Sequence, residues 1–399
     1  MHVVMFGDQH AETLGGAQVS MRLQRRFLEK AGHTVTIVAP RRHGPRSGLR
    51  ADDPGYADLP SIPVTLDREY AMTWPNARAD RAVDAVMAGR PPVDIVHVQG
   101  DFWGAFLGIR FARRHGLPVV FTFHNRVDVG IRAVAPFPGL VLRVLNRWGR
   151  RALSEPADTG ADGWAYLRML ASSADAVTAP SAHFARRLEA HRVAPQVDVV
   201  WNGIDDDELA LALSSPRGRA ESRPPRLVWV GRMSPEKRLI PFLEAVVASG
   251  IEADIEVIGN GAQRAAAQRV AERARASVFF LGSLPYRETL RRIRSADALV
   301  QTSIGFETQG MTIFEAATLG TPSIVCDPDL VAELGSGVWA VPDGATESLA
   351  DVLRTAVADI RSGAAPVPDP SIAERFRQSS RTAAMLEVYE AAKVRHAER

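Results

Sequence analysis

Residues 298–326 read ALVQTSIGFETQGMTIFEAATLGTPSIVC. An apolar run is followed by a polar loop that carries Glu307, and a helical pattern begins near Gly310. A glycine and a proline end that helix before a second apolar run at 322–326. Apolar runs that do not alternate with polar residues are typical of parallel strands covered on both faces. The stretch therefore predicts a strand–loop–helix–strand segment of a doubly wound α/β domain.

The same pattern recurs along most of the chain, and it is interrupted by a stretch rich in Pro, Ser and Arg at 214–226. A chain of 399 residues is longer than a single core usually grows. We therefore expect two α/β domains with the following bounds: an N-terminal domain at 1–201, a linker at 202–225, a C-terminal domain at 226–370, and terminal helices at 371–399 that pack back toward the first domain. The predicted strands are 2–6, 34–39, 94–99, 118–123, 175–179, 197–201, 226–231, 253–259, 277–282, 298–303 and 322–326.

Composition excludes several classes of protein. Hydrophobic residues make up 46% of the chain and charged residues 24%, and no apolar run is long enough to span a bilayer. Residues 1–200 hold 25 basic and 19 acidic side chains against 23 and 27 in 201–399, too small an excess for binding nucleic acid. The start of the chain reads as a strand and not as a signal peptide, which predicts a cytoplasmic protein. A single cysteine, Cys326, excludes an internal disulfide and is expected to be buried.

Two carboxylates flank the predicted helix that begins near Gly310. A helix N-terminus that follows a strand and a loop binds anions, because its free N–H groups and its dipole face the loop. Glycine at position 310 allows a diphosphate to approach the backbone. Glu307 in the loop then suits sugar hydroxyls, and Glu315 suits the paired hydroxyls of a ribose. The alternative is that Glu307 is a solvated loop residue and Glu315 an ordinary residue on the face of a helix.

A second loop favours the ligand-binding interpretation. GRMSPEKRL at 231–239 follows a predicted strand and carries Arg232 and Lys237, one of only three lysines in the chain. Ligands of open α/β sheets bind at the carboxyl ends of the strands, where this cation pair would neutralise a diphosphate. GNGAQ at 259–263 is either a further ligand loop or a plain strand-to-helix connection. The chain has no G-x-G-x-x-G, which disfavours a dinucleotide-dependent oxidoreductase.

Taken together, the motifs resemble those of the retaining glycosyltransferases of family 4, which have the GT-B architecture of two Rossmann-like domains facing a cleft. The resemblance covers nearly the whole chain. It rests on an ordered set of motifs: the glycine pair Gly15 and Gly16, Gly32-His33-x-Val35-x-Ile37, DIVHV at 94–98, Thr122-x-His124, Pro180-Ser181, NGID at 202–205, GR-x4-K at 231–237 and E-x7-E at 307–315.

The resemblance implies a role for each matching residue. Glu307 would contact the donor sugar and Glu315 the ribose of a nucleotide diphosphate sugar, either UDP- or GDP-linked. The donor diphosphate would be bound by the backbone amides of Gly310, Met311 and Thr312, by the side chains of Arg232 and Lys237, and by the glycine pair. His124 would lie beside the reacting sugar. Transfer would retain the anomeric configuration and need no cofactor and no metal, and the histidine spacing indicates no metal site.

The acceptor side is less specific. Asp101, Asn125, Arg126 and Asp128 lie near the same predicted sheet edge and are acceptor-side candidates, although Arg126 and Asp128 also fit a surface ion pair. His97 inside its strand is expected to orient loops from the core. The loop Glu307-Thr308-Gln309-Gly310 departs from the commoner E-G-F-G and resembles the variant of enzymes that glycosylate diacylglycerol-type lipids.

The segment FPGLVLRVLNRWGRRAL at 137–153 predicts a basic amphipathic helix. Its apolar residues either pack on the domain core or lie on an anionic membrane at the inner face of the cell membrane. The apolar residues on one face are Leu140, Val141, Val144, Leu145 and Trp148, and arginines lie elsewhere. Three functions therefore stay open: transfer to a lipid or cell-envelope precursor, transfer to a soluble acceptor, and nucleotide-sugar binding without catalysis.

Overall fold

The structure is a computed structural model that describes residues 1–13, 15–43, 53–65, 68, 70–154, 160–214 and 223–399. The chain divides into two compact units. Unit 1 comprises Met1–Gly203 and Arg381–Arg399, and unit 2 comprises Ile204–Ser380. Each unit has its own sheet and core, as a chain of this length requires.

Unit 1 is built on a parallel sheet whose strand order is β3-β2-β1-β6-β7-β8-β9, with a small antiparallel hairpin of β4 and β5. The residues of the central strands of this seven-stranded sheet are almost entirely buried, as expected of a sheet covered by helices on both faces. The order reverses between β1 and β6. The strands are β1 (His2–Phe6), β2 (Thr34–Pro40), β3 (Tyr56–Leu59), β4 (Ile62–Pro63), β5 (Ala71–Met72), β6 (Ile95–Val98), β7 (Val119–Thr122), β8 (Ala176–Ala179) and β9 (Asp198–Val199).

The helices of unit 1 fill the crossovers between these strands. In α1 the buried residues include Met21, Gln24 and Leu28, whereas Ala31 after the helix is exposed. Asn76 and Asp162 cap two of the helices through their side chains. The helices are α1 (Gly16–Lys30), α2 (Ala77–Met87), α3 (Trp103–His115), α4 (Val127–Val134), α5 (Pro138–Leu153), α6 (Gly163–Ala171) and α7 (Ala182–Ala190).

Unit 2 holds a second parallel sheet, in the order β12-β11-β10-β13-β14-β15. This is the 3-2-1-4-5-6 order of a doubly wound fold, which reverses between β10 and β13. The strands are β10 (Arg226–Val230), β11 (Asp254–Ile258), β12 (Ser277–Gly282), β13 (Ala298–Gln301), β14 (Ser323–Val325) and β15 (Val338–Ala340).

The helices of unit 2 cover this sheet, and Cys326 is a free, buried thiol within its core, as expected. The helices are α8 (Asp206–Ser214), a 3-10 turn (Pro235–Lys237), α9 (Leu239–Ser249), α10 (Arg264–Ala271), α11 (Tyr286–Ser295), α12 (Met311–Thr318), α13 (Pro328–Leu334), α14 (Thr346–Ser362) and α15 (Ser371–Arg375), followed by α16 (Gln378–Ala397).

The last helix, α16, supplies a buried face to unit 1 from Arg381 onward. Met385 and Tyr389 pack in the same apolar cluster as Val3 of β1. The hydroxyl of Tyr389 also lies 2.8 Å from Nδ1 of His97 in β6. The C-terminal residues therefore belong to the core of the domain in which the chain begins.

All the predicted strands are present, but the short strands β3 and β15 and the β4–β5 hairpin were missed. Their apolar runs are only two to four residues long. Pairing with a neighbouring strand stabilises such runs, and the local sequence alone does not specify that pairing. The predicted strand at 197–201 is reduced to two residues at the sheet edge, Asp198–Val199.

Candidate active site

The reversal of strand order in unit 2 brings two loops together. Strands β10 and β13 pair in parallel, with Trp229 opposite Val300, so the loops that follow both strands leave the same edge of the sheet side by side. The first loop carries Arg232 and Lys237, and the second carries Glu307. Ligands bind at such switch points because the crossovers on either side leave a crevice between the two loops.

Lys237 and Glu307 meet directly in this crevice. The ammonium of Lys237 donates to Oε1 of Glu307 at 2.5 Å, and the side chains are 20% and 13% exposed. The lysine loop is held by Thr302, whose hydroxyl donates to the carbonyl of Lys237 at 2.6 Å and accepts from the indole of Trp229 at 3.0 Å. The residue predicted to bind the sugar, Glu307, and one of the residues predicted to bind the diphosphate, Lys237, thus form an ion pair with each other.

Glu315 lies inside α12, whose first turn faces the same loop. Gly310 precedes the helix with φ 74°, and a Cβ there would lie 2.8 Å from Cδ1 of Leu330, so the position requires glycine. The side chain of Glu315 is buried, and its Oε1 accepts a hydrogen bond from the hydroxyl of Tyr286 at 2.9 Å. Burial raises the pKa of Glu315 to about 7 against this hydrogen bond, which lowers it.

Two further motifs of unit 2 differ in what they do. Arg232 has a side chain that is 76% exposed and lies 3.6 Å from Glu236, which is a weak surface pair. Gly259 has φ 125°, and a Cβ on it would lie 1.9 Å from the carbonyl oxygen of Gly231. The glycine turn at 259–261 thus allows two backbone segments to come into contact. This is what a plain strand-to-helix connection requires, and it needs no ligand.

Unit 1 has its own switch point between β1 and β6, and it is built around Asp8. The carboxylate of Asp8 accepts backbone N–H bonds from Asp101 at 2.7 Å and from Gly104 at 2.8 Å, and so caps the start of α3. Burial raises the pKa of Asp8 to about 6 in spite of these bonds. The sequence reasoning missed Asp8, although its position one residue after a strand-ending glycine was a usable signal.

Asp101 and Asn125 come together at this edge. The amide of Asn125 donates to Oδ2 of Asp101 at 2.6 Å, whereas the buried Oδ1 of Asp101 has no hydrogen-bond partner among the described residues. Burial and the neighbouring Asp8 raise the pKa of Asp101 above its ordinary range. A carboxyl group of this kind is neutral near pH 7, and its O–H can donate a hydrogen bond to an oxygen atom of a ligand.

His124 follows β7 and lies in a polar network with the strand beside it. Its Nε2 lies 3.1 Å from Oε1 of Gln99, a residue that the sequence reasoning did not single out. Burial lowers the pKa of His124 to about 4, so the imidazole is neutral near pH 7. His97 lies in the core, where its ring nitrogens contact the hydroxyl of Tyr389 on α16 and, at 2.7 Å, the hydroxyl of Thr122 in β7.

The remaining predicted residues of unit 1 are more peripheral. The guanidinium of Arg126 lies 5.8 Å from the ring centroid of Trp164. The side chain of Asp128 lies outside the described residues. Gly16 is the first residue of α1, and no atom of the described residues lies within 4 Å of a Cβ built on it, whereas a Cβ built on Gly15 would lie 2.0 Å from Oε1 of Gln18. In unit 1 the structure thus brings Asp101, Asn125 and His124 to one sheet edge.

Both halves of the chain match models of known families. Residues 14–208 match the model described as Glycosyltransferase Family 4, and residues 224–359 match Glycosyl transferases group 1. The chain belongs to glycosyltransferase family 4. Membership agrees with the two doubly wound units described above, which are those of the GT-B class.

Relatives of this glycosyltransferase cover most of its length. It is 27% identical over 384 residues to the GDP-mannose-dependent alpha-mannosyltransferase of Mycolicibacterium smegmatis, covering 91% of this chain and 92% of the relative. It is 26% identical over 341 residues to the alpha-monoglucosyldiacylglycerol synthase of Streptococcus pneumoniae, covering 81% and 70%. The crystal structure of Anabaena HepE in complex with UDP and glucose is similar in fold, with a TM-score of 0.67, 15% identity, and coverage of 98% and 99%.

The apolar face that the sequence predicts for helix α5 of the glycosyltransferase is only partly covered by the core. Leu145 and Trp148 pack against the core, but Leu140, Val141 and Val144 are 59%, 41% and 59% exposed. The buried face instead includes Leu142 and Leu153. Phe137, just before α5, is 71% exposed, and Trp74, 50% exposed, contacts Trp148 at 5.2 Å between ring centroids. Several apolar side chains on and next to α5 are therefore exposed to solvent.

The helices in the described part of the glycosyltransferase do not cross a bilayer, because none of them there is both long enough and apolar enough. No cluster of three or more His, Cys, Asp or Glu side chains with the arrangement of a metal site occurs among the described residues.

Proposed function

We propose that this glycosyltransferase moves a sugar from a UDP- or GDP-linked donor to a hydroxyl of a membrane lipid or lipid-linked envelope precursor, with retention at the anomeric carbon. The donor half of the proposal rests on unit 2, and the acceptor half rests on the exposed surface of α5. The names of the relatives agree with both halves, since one uses GDP-mannose and another makes a glucosyl diacylglycerol.

The donor would bind at the N-terminus of α12. The free amides of Gly310, Met311 and Thr312 suit its phosphates, and Glu315 suits the ribose diol. On binding, Lys237 would exchange Oε1 of Glu307 for a phosphate oxygen, and this carboxylate oxygen would then accept from the sugar hydroxyls. The 2.5 Å contact between the two side chains is the observation that supports this coupling.

The transfer itself needs one bond broken and one formed on the same face of the sugar. The bond between the anomeric carbon and the phosphate oxygen breaks, the acceptor oxygen bonds to that carbon, and the acceptor proton leaves on the departing diphosphate. Fixed positive groups stabilise the leaving phosphate in this step. Burial keeps His124 neutral near pH 7, so its imidazole suits hydrogen bonding better than acid catalysis.

We further propose that this reaction needs no metal ion. Lys237, Arg232 and the amide-rich start of α12 supply the positive field that a metal would otherwise supply. Transfer measured in excess EDTA tests this, and a loss of activity restored by Mg²⁺ or Mn²⁺ would contradict it.

The acceptor half rests on one observation, the apolar residues exposed on and before α5. Val144 and Phe137 are solvent-exposed in the same helical segment that carries Arg143, Arg147 and Arg151. Apolar side chains next to arginines bind the interface of an anionic membrane, where the rings and aliphatic chains enter the headgroup region. The enzyme would accordingly work as a peripheral protein at the inner face of the cell membrane.

Flotation with liposomes that contain anionic phospholipid tests the membrane contact. We expect the protein to float at low salt and Val144→Glu to weaken flotation severalfold. Val394→Glu is a matched control, because Val394 on α16 is 58% exposed against 59% for Val144. Failure of the unaltered protein to float would favour a soluble acceptor.

A thermal-shift panel of nucleoside diphosphates and their sugars tests the donor site. A ligand at about 100 times its Kd stabilises the protein by roughly 2.7 kcal/mol. Glu307→Gln should abolish the additional shift that a nucleotide sugar gives over its nucleoside diphosphate. No shift with any nucleotide would refute the proposed donor site.

A further inference from the structure

Tyr286 is a residue of unit 2 that takes no part in the transfer step described above. It begins α11, and its hydroxyl reaches Oε1 of Glu315 in the neighbouring helix α12 at 2.9 Å. Tyr286 is 37% exposed, whereas Glu315 is only 6% exposed. A partly exposed ring thus places its donor on a buried carboxylate that faces the predicted nucleotide site.

The chemistry of the ribose diol explains why this bond matters. Both hydroxyls of a diol can donate to one carboxylate, which has two oxygens and about four lone-pair sites when ionised. A protonated carboxyl group has a donor of its own, so it matches two donating hydroxyls poorly. Burial favours that protonated form of Glu315, whereas a hydrogen bond donated to the carboxylate favours the charged form.

We propose that Tyr286 is a positioning residue that holds Glu315 in its charged form and in one rotamer, with Oε2 turned to the hydroxyls of the donor ribose. This rests on the proposed function, in which Glu315 receives the nucleotide. Tyr286 acts through Glu315 and does not itself touch the diol. Its hydroxyl takes one acceptor site on Oε1 and leaves the others to the ligand.

Other charged groups near Glu315 do not take this role. The elements that pack most against α12 are α11, α15, β13 and β14. Within the described residues, the hydroxyl of Tyr286 is the one side-chain group that shifts the pKa of Glu315, and Asp205 and Glu208 act on Tyr286 in turn. The other charged side chains on α11 and α15 are Arg287, Glu288, Arg291, Arg292, Arg294, Glu374 and Arg375.

Removal of the hydroxyl in Tyr286→Phe should therefore raise the pKa of Glu315 further above its value of about 7. The buried carboxyl would then be protonated over more of the neutral range. Nucleotide affinity should fall at neutral pH and recover as the pH rises, because ionisation restores two acceptor oxygens to the diol. A residue that only stabilised the fold would give a loss that does not depend on pH.

Calorimetric titration separates these possibilities. UDP, GDP and their 2′,3′-dideoxy counterparts are titrated into the full-length protein between about pH 6 and pH 9. The proteins compared are the unaltered protein, Tyr286→Phe and the control Arg291→Gln, which changes another residue of α11 whose side chain is 55% exposed. We expect Tyr286→Phe to weaken the affinity for the ribonucleotide about tenfold near pH 7, as the loss of a hydrogen bond to a charged group implies.

Three results are decisive. A tenfold loss of ribonucleotide affinity that narrows toward pH 9 and is absent for the dideoxynucleotide supports the role of Tyr286, provided that Arg291→Gln binds both nucleotides as the unaltered protein does. Equal affinity in Tyr286→Phe, or an equal loss for the ribonucleotide and the dideoxynucleotide, overturns it while leaving the donor site intact. Failure of the unaltered protein to bind either nucleotide overturns the proposed function and this role together.

Discussion

Replacement of Glu315 by Gln should make unit 2 more stable while it weakens nucleotide binding. In the folded protein burial raises the pKa of Glu315 from 4.5 to about 7. Between these two pH values the unfolded chain has released the proton and the folded chain has kept it. Folding must then take up a proton, so this group lowers stability progressively as the pH rises from about 4.5 to about 7.

The size of the effect follows from the two pKa values. One pKa unit corresponds to about 1.4 kcal/mol, so the cost of Glu315 at pH 8 is about 3 kcal/mol, and at pH 5 it is less than about 1 kcal/mol. The amide introduced by Glu315→Gln carries no charge at either pH, and its oxygen can still accept from the hydroxyl of Tyr286. A gain of about 3 kcal/mol corresponds to roughly 6 to 12 °C in the midpoint of a unit of this size.

The assay is thermal unfolding of both proteins at about pH 5 and pH 8, without ligand. The unaltered protein and Glu315→Gln should differ little at pH 5, and the variant should melt higher at pH 8. The same samples with UDP or GDP should show a smaller ligand-induced shift in the variant. A variant that melts at or below the unaltered protein at pH 8, or by the same margin at both pH values, would refute the reasoning.

Three further predictions concern the same units. Lys237→Met removes the ammonium group from beside the Glu307 carboxylate, which is 13% exposed, and should lower the free energy of unfolding by about 1 to 3 kcal/mol. The double variant Lys237→Met with Glu307→Gln should recover part of this loss, and purely additive losses would contradict the pairing. Gly310→Ala should cost about 1 to 3 kcal/mol because of its φ of 74°, and an unchanged melting temperature would count against it. The rate of sugar transfer should rise with pH through about 7 as Glu315 ionises, and an inflection near 6.5 that disappears in His124→Gln would show that the imidazole titrates after all.

A buried carboxylate is unfavourable until its ligand arrives, and the rest of unit 2 stabilises the fold against this local cost. Glu315 and the Lys237–Glu307 pair have the same character, since each holds a charge at a crevice where a neutral side chain would pack at a lower cost.

Much of the fold could be predicted from local patterns. The central strands are runs of buried apolar residues such as those of β1 and β13, and their period and punctuation by glycine identify parallel strands without any structure. The edge strands β3 and β15 could not be found in this way, because their pairing and not their composition defines them. The sequence could not decide between a covered and an exposed apolar face on α5 for a related reason. Helical periodicity identifies the apolar residues of a helix, but the neighbouring helices decide which of them are covered.

The sequence by itself determined the class of the protein and the order of its motifs. Glu307, Glu315 and Lys237 are recognisable because strands, loops and glycines precede them at fixed local spacings, and local spacing is a property of the chain. Only the tertiary structure decided their partners. Glu315 meets Tyr286 across 29 residues and Lys237 meets Glu307 across 70, and Asp8 caps a helix that begins 95 residues later. Contacts at such separations depend on how strands are ordered in the sheet, and the buried charge states follow from the burial that this order creates.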